Sequence, residues 1–167
     1  MVVTDILGMV LDYWQSIPRR EGCLPSRRQL DPSAIPEALP FVALIEPSEK
    51  GSTLKFRLVG TAIAACLPHD PTGQTLFAQD GMEADLRRLA GDVIQRGEIV
   101  RGNAWLTPMD GGQVSVPVIL LPLSSSGRRV DMVLVVFGLQ DGTTAAWNKS
   151  FSPTVTVPGR DRRDTCP

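Results

Sequence analysis

One histidine, His69, and three cysteines, Cys23, Cys66 and Cys166, are all the imidazole and thiol groups that 167 residues supply for metal binding or for nucleophile-and-base chemistry. A Ser-His-acid triad would need His69 beside a serine, yet the serine run at 124–126 lacks the glycines of a nucleophile elbow. The cysteines are odd in number and far apart, with no Cys-x-x-Cys and no paired His/Cys spacing, so neither a disulfide framework nor a metal site is expected. GTAIAACLP (60–68) lacks the second and third glycines of a dinucleotide or phosphate loop, and no catalytic residue is assigned. Neither sign of charge dominates: the net charge of -1 creates no field for a phosphate backbone, and nucleic acid is not an expected partner. No run approaches the roughly 18–20 apolar residues of a membrane span. The start, MVVTDILGMVLDYWQ, carries Asp5 and Asp12 and no basic lead, unlike a signal peptide, so a cytoplasmic location is expected.

What is present is the composition of a folding chain. Hydrophobic residues make up 43% and charged residues 21%, close to ordinary globular proteins, and the length suits one domain with a real core. Ile6, Val10, Tyr13, Trp14 and Ile17 recur as an apolar stripe on an amphipathic helix over 4–17, which Thr4 or Asp5 can cap and Pro18 follows. The stripe must cover a surface of this chain or of a second copy, and the pattern leaves both open. Val10, Tyr13, Trp14 and Ile17 are therefore candidates for a partner or homodimer surface. The next segment, 17–40, is rich in Pro and Arg. Asp31-Pro32 reads as the cap and first residue of a short helix ending by Pro40. Arg19, Arg20, Arg27 and Arg28 form a basic cluster, either solvated with carboxylates nearby or a contact for an anionic ligand or partner.

FVALIE (41–46) and LKFRLVG (54–60) read as strands of an antiparallel hairpin. Leu54, Phe56 and Leu58 alternate with Lys55, Arg57 and Val59, which puts Arg57 on the less apolar face. A short helix is expected over 61–67 with Thr61 as cap, after which PHDPTG (68–73) forces a turn. Asp80 and Glu83 form a capping-box variant for a helix over 81–96, whose stripe is Met82, Leu86, Leu89, Val93 and Ile94 and whose stop is Gly97. Strands are expected at 98–108, 113–123 and 130–139, joined by MDGG (109–112) and SSSGRR (124–129). Pro117 and Pro122 point to an edge position or bulges in the middle one. The order predicts an α+β domain. It divides into an N-terminal helix and connecting segment over 1–40, a core over 41–139 and a loosely held tail over 140–167.

With these residues in view, the chain resembles the PAS domains, and more narrowly a proteobacterial family of stand-alone PAS-like proteins. The resemblance is carried by Trp14, LPSRRQLDP (24–32), Leu39-Pro40, FRLVGT (56–61) and DPTG (70–73), with LLPL (120–123) and Val130-Asp131 fitting the late strands. It implies a five-stranded antiparallel sheet with helices on one face, joined by an N-terminal amphipathic helix that often serves dimerisation. The helices of such domains enclose a small-molecule cavity or leave a packed core. It further implies a bacterial sensory or regulatory module of signal transduction, with no catalysis and no particular ligand. No kinase, cyclase or DNA-binding segment follows, so output is expected through a partner signalling protein. Some PAS domains hold haem through a histidine on a nearby helix, but His69 stands in a turn between Pro68 and Asp70. The cysteine motif that attaches flavin in light-sensing PAS domains is missing as well. Neither haem nor flavin is expected, and the cofactor is unknown.

Arg57, beside the Gly60-Thr61 corner, either ties the strand to Asp70 and its turn or faces a cavity and orients an anionic ligand. Trp105 is a core residue or a cavity wall whose indole N–H needs a partner. Arg57, Thr61 and Trp105 are therefore the candidate ligand-binding residues. Two functions stay open: a ligand-responsive sensor, and a ligand-free interaction adaptor with a filled core.

Overall fold

The computed structural model describes residues 5–48, 53–65, 67, 69–77, 81–106 and 113–138. The Asp80 cap, the MDGG turn and the tail over 140–167 lie outside them. Helix α1 spans Ile6–Ser16 and starts on Asp5, whose carboxylate accepts from the Gly8 amide at 2.9 Å. Three short 3-10 turns follow at Arg27–Gln29, Pro32–Ala34 and Pro36–Phe41. The single helix expected from Asp31 is thus split, because Pro36 has no N–H to continue the first turn and instead begins the next. Strands β1 (Val42–Pro47) and β2 (Leu54–Val59) lead into α2 (Thr61–Ala65) and α3 (Gly81–Arg96). Strands β3 (Val100–Leu106), β4 (Val114–Leu123) and β5 (Met132–Phe137) complete the core.

The strands form one five-stranded antiparallel sheet in the order β2-β1-β5-β4-β3. Strand β4 is internal, which corrects the expectation that its prolines mark an edge or a bulge. Each proline falls where a ladder has ended. Pro117 lies one residue beyond the last β4–β5 pair, Val118 with Phe137. Pro122 lies beyond the last β3–β4 pair, Val100 with Leu120. Pro122 has no β3 residue left to accept an N–H, while Pro117 accepts from the Gly138 amide at 2.7 Å and forgoes only the return bond just past the end of β5.

Helices α1 and α3 take opposite faces of the sheet. A Cβ on Gly102 would lie 2.9 Å from Leu89 of α3, and one on Gly138 would lie 3.3 Å from Leu7 of α1. Gly102 pairs with Val118, and the Gly138 amide donates to the adjacent Pro117, so the two glycines face opposite sides of the pleat. Between α3 and the sheet, Ile45, Phe56, Leu86, Val93, Leu120 and Phe137 are all 0–1% exposed. Side chains this far removed from solvent form a closely packed layer between helix and sheet. Cys23, for which no pairing was expected, is buried and disulfide-bonded to a partner outside the described residues.

Candidate functional site

The FRLVGT segment turns from β2 into α2 at Gly60. Its amide donates to the Val42 carbonyl at 2.7 Å, and a Cβ there would stand 2.4 Å from the Pro40 oxygen. Glycine lets the corner cross this close to the Leu39-Pro40 backbone. The following turn is held locally. Asp70 accepts from the Thr72 hydroxyl at 2.6 Å and from the Thr72 amide at 2.9 Å. Those two bonds, the hydroxyl's first, hold the Asp70 carboxyl below its ordinary pKa; burial opposes them weakly, and the charge of His69 adds a smaller push in their direction. The turn is tied to β2 by backbone, with Gly73 donating to Phe56 at 2.7 Å and Phe56 to Gln74 at 2.9 Å. This replaces the expected Arg57–Asp70 tie. His69 is exposed, with Nε2 at 3.2 Å from the Gln74 amide oxygen.

The other signature residues also hold the chain to itself. Trp14 is buried with Nε1 donating to the Pro122 carbonyl at 3.1 Å, and the Arg19 guanidinium lies 4.2 Å from the ring centroid. Leu24 donates to Gly127 at 2.9 Å and Ser124 to Pro25 at 2.9 Å, which zips the LPSR stretch onto the β4–β5 connection. Asp31 accepts from the Ser33 amide and hydroxyl at 2.9 and 2.6 Å, and Tyr13 receives the Asp31 amide at 2.6 Å. These residues therefore serve as corner and splice contacts within the chain.

The three ligand candidates do not meet. Arg57 is the extra residue of a β-bulge, since Leu44 pairs with Leu58 and Ile45 with Phe56, and it is exposed. Thr61 is exposed at the start of α2. Trp105, 46% exposed, sits on β3 with its amide donating to Asp85 at 3.1 Å. Strands β2 and β3 are the two edges of the sheet, four strand spacings or roughly 19 Å apart. Of the partner-surface candidates, Val10, Trp14 and Ile17 are buried and Tyr13 is half-buried, so the α1 stripe is turned onto its own chain.

Two concavities are lined entirely by described residues. A hollow of about 90 Å³ lies between Tyr13, Leu30, Ile35, Leu39, Leu44 and Leu58, well below the several hundred Å³ of an organic-ligand site. The other is a groove of about 680 Å³ between α3 and the start of β2. Leu54, Leu76 and Ile94 supply its apolar surface, Phe77 stands 70% exposed, and Arg87, Arg88, Asp92 and Gln95 bring polar groups from α3. Arg87 donates to the Leu76 carbonyl at 3.4 Å, while Arg88 and Asp92 have no hydrogen-bond or ion-pair partner among the described residues. Glu83 accepts from the Phe77 amide at 3.1 Å and so anchors the 74–77 segment to α3. Sequence reasoning missed this groove because its residues are dispersed. The available signal was Gly91, a glycine in mid-helix whose absent Cβ would meet nothing within 4 Å.

No group of His, Cys, Asp or Glu that could hold a metal ion occurs among the described residues. No helix among them is long and apolar enough to cross a membrane.

No curated protein matches the chain. Among solved structures it is similar to RsLOV, with 16% identity, a TM-score of 0.46 and coverage of 65% of this chain and 64% of that one. It is also similar to the PAS domain of an HTR-like protein from Haloarcula marismortui, with 20% identity, a TM-score of 0.40 and coverage of 63% and 88%. An RNA-binding light-oxygen-voltage receptor matches with 13% identity, a TM-score of 0.39 and coverage of 65% and 33%. The match thus spans less than two thirds of the first and the last of these chains. The PAS domain family model matches residues 6–138, which takes in α1, the signature segments and the whole sheet. The chain belongs to the PAS domain family, whose members are generally sensory, non-enzymatic modules of signalling.

Proposed function

We propose that this PAS domain senses a small molecule at its surface, in the groove between α3 and β2, and passes the signal to a partner protein. The observation that carries this reading is the contrast between a solid interior and an open groove. Phe56, Leu86 and Phe137 are sealed at 0–1% exposure, while about 680 Å³ lies open beside Arg88 and Phe77. That volume falls within the range of organic-ligand sites. The groove is framed by α3, which packs on β3, β4 and β5 through residues such as Leu89, so an occupant bears on an element continuous with the core.

A ligand shifts such a module only through unequal affinity for two arrangements. Native mass spectrometry of the freshly purified protein, set against its denatured mass, tests the reading. A reproducible extra mass released on denaturation, and lost on filling the groove by Gly91→Leu, is the expected result. A retained molecule unaffected by Gly91→Leu places the input elsewhere. Partner capture with no small molecule ever retained favours the second reading, a ligand-free adaptor, for which the filled core is the supporting observation.

A further inference from the structure

We infer that the α3 groove selects an amphipathic organic carboxylate, with Arg88 as its charge contact and Gly91 as the point where its apolar body meets the helix. The assignment deepens the sensory reading above and rests on it. Arg87, Arg88, Gly91, Asp92 and Gln95 line the groove from one side of α3, over a rise of about 12 Å from first to last. Leu54, Leu76, Phe77 and Ile94 supply apolar contact for a chain or ring of that length.

Two of the three charged lining residues are arginines, so the groove carries a net positive charge. Arg87 already donates to the Leu76 carbonyl, whereas the Arg88 guanidinium has no partner among the described residues. A free guanidinium beside an apolar floor matches a carboxylate on an apolar body, because the planar fork can bind both oxygens at once. Asp92 repels a second anionic group along the same helix, so a ligand with one carboxylate and an uncharged remainder is favoured over a dicarboxylate. Glycine is a poor residue for mid-helix, and at Gly91 nothing within 4 Å would obstruct a side chain. Its place in the lining holds the groove open against α3, where any larger side chain would stand in the ligand's path.

Amide-resolved NMR titration of the full chain tests this, with sodium decanoate below its micellar concentration as probe and decylamine and decan-1-ol as controls. The expected result is saturable shifts at Thr53, Leu76, Phe77 and α3, with decanoate binding more tightly than either control. Arg88→Gln weakens decanoate about ten-fold or more, the scale of a lost charge-assisted contact. Gly91→Leu abolishes binding while the spectrum of the sheet is kept and the thermal midpoint is not lowered. Equal or tighter binding of decylamine overturns the proposal, since Asp92 would then be the selecting charge. Undiminished decanoate binding by Gly91→Leu overturns the site. Absence of any saturable shift with decanoate overturns the carboxylate assignment; a retained mass that Gly91→Leu removes would still uphold the sensory reading, and its absence would remove both.

Discussion

Trp14 reaches Pro122 across the end of β3: the indole Nε1 donates at 3.1 Å to a carbonyl that faces the side on which β3 has already stopped. Helix α1 lies on a face of the sheet, and only its indole enters the slot left where β3 has stopped. Trp14→Phe keeps most of the packing but leaves the Pro122 oxygen unsatisfied, and should cost about 1–3 kcal/mol. Trp14→Ala removes the ring as well and should cost about 3–5 kcal/mol. Urea denaturation of both variants measures the difference. A Trp14→Phe protein as stable as the wild type would mean the bond contributes nothing net.

Gly60→Ala should be disproportionately harmful for a single methyl group. The added Cβ meets the backbone oxygen of Pro40 at 2.4 Å, and backbone cannot swing aside as a side chain can. A loss of about 1–3 kcal/mol is expected, the scale of overpacking. The thermal midpoint reads it.

Gly91→Ala has the opposite sign. Its Cβ meets nothing and the position is interior to α3, so the substitution should stabilise the fold by about 0.4–1 kcal/mol. A protein that is more stable and binds its ligand more weakly would separate the helix's own preference from the use of the groove.

Arg57→Gln and Trp105→Ala, alone or together, should leave binding in the groove within about two-fold of wild type. The residues lie on opposite edge strands and neither lines the groove, so any effects add as independent ones. A large coupled loss would show that they act on one site after all.

Acid should loosen the corner turns before the sheet. The carboxyls of Asp31 and Asp70 are both held below the ordinary value, first by the hydroxyls of Ser33 and Thr72 and then by the same residues' amides. A group with a depressed folded pKa contributes stability above its unfolded pKa and loses that contribution as pH falls through the folded value. The Thr72 and Ser33 amides should therefore lose protection from hydrogen exchange below the usual carboxylate range, and Asp70→Asn should remove the pH dependence at Thr72. Protection at Thr72 that is flat through that range would contradict the bonding scheme.

Much of this architecture is legible in the sequence, for local reasons. Ile6, Val10, Trp14 and Ile17 announce a helix with one apolar face, and Gly60-Thr61 announces a corner. A stripe does not say what covers it, which is why the α1 residues could be read as a surface for a second chain when they are buried on their own. Pro117 and Pro122 mislead for a related reason: a proline forbids a ladder bond, but only the register of both neighbours shows that each stands at a ladder's end. Arg57 and Trp105 were grouped by chemistry, and strand order separates them. The groove stayed hidden because Thr53, Phe77 and Arg88 become neighbours only once β2 and α3 are placed side by side.

The Gln74–Phe77 stretch has a consequence for the sheet as a whole. Leu76 donates to Leu54 at 2.8 Å and Thr75 bridges Lys55, so the outer side of β2 is already occupied by the chain's own backbone. At the opposite margin Asp85 takes the Trp105 amide, but β3 has no strand beyond it among the described residues. Among the described residues, an incoming strand therefore finds the longest run of unpaired backbone along β3, not β2.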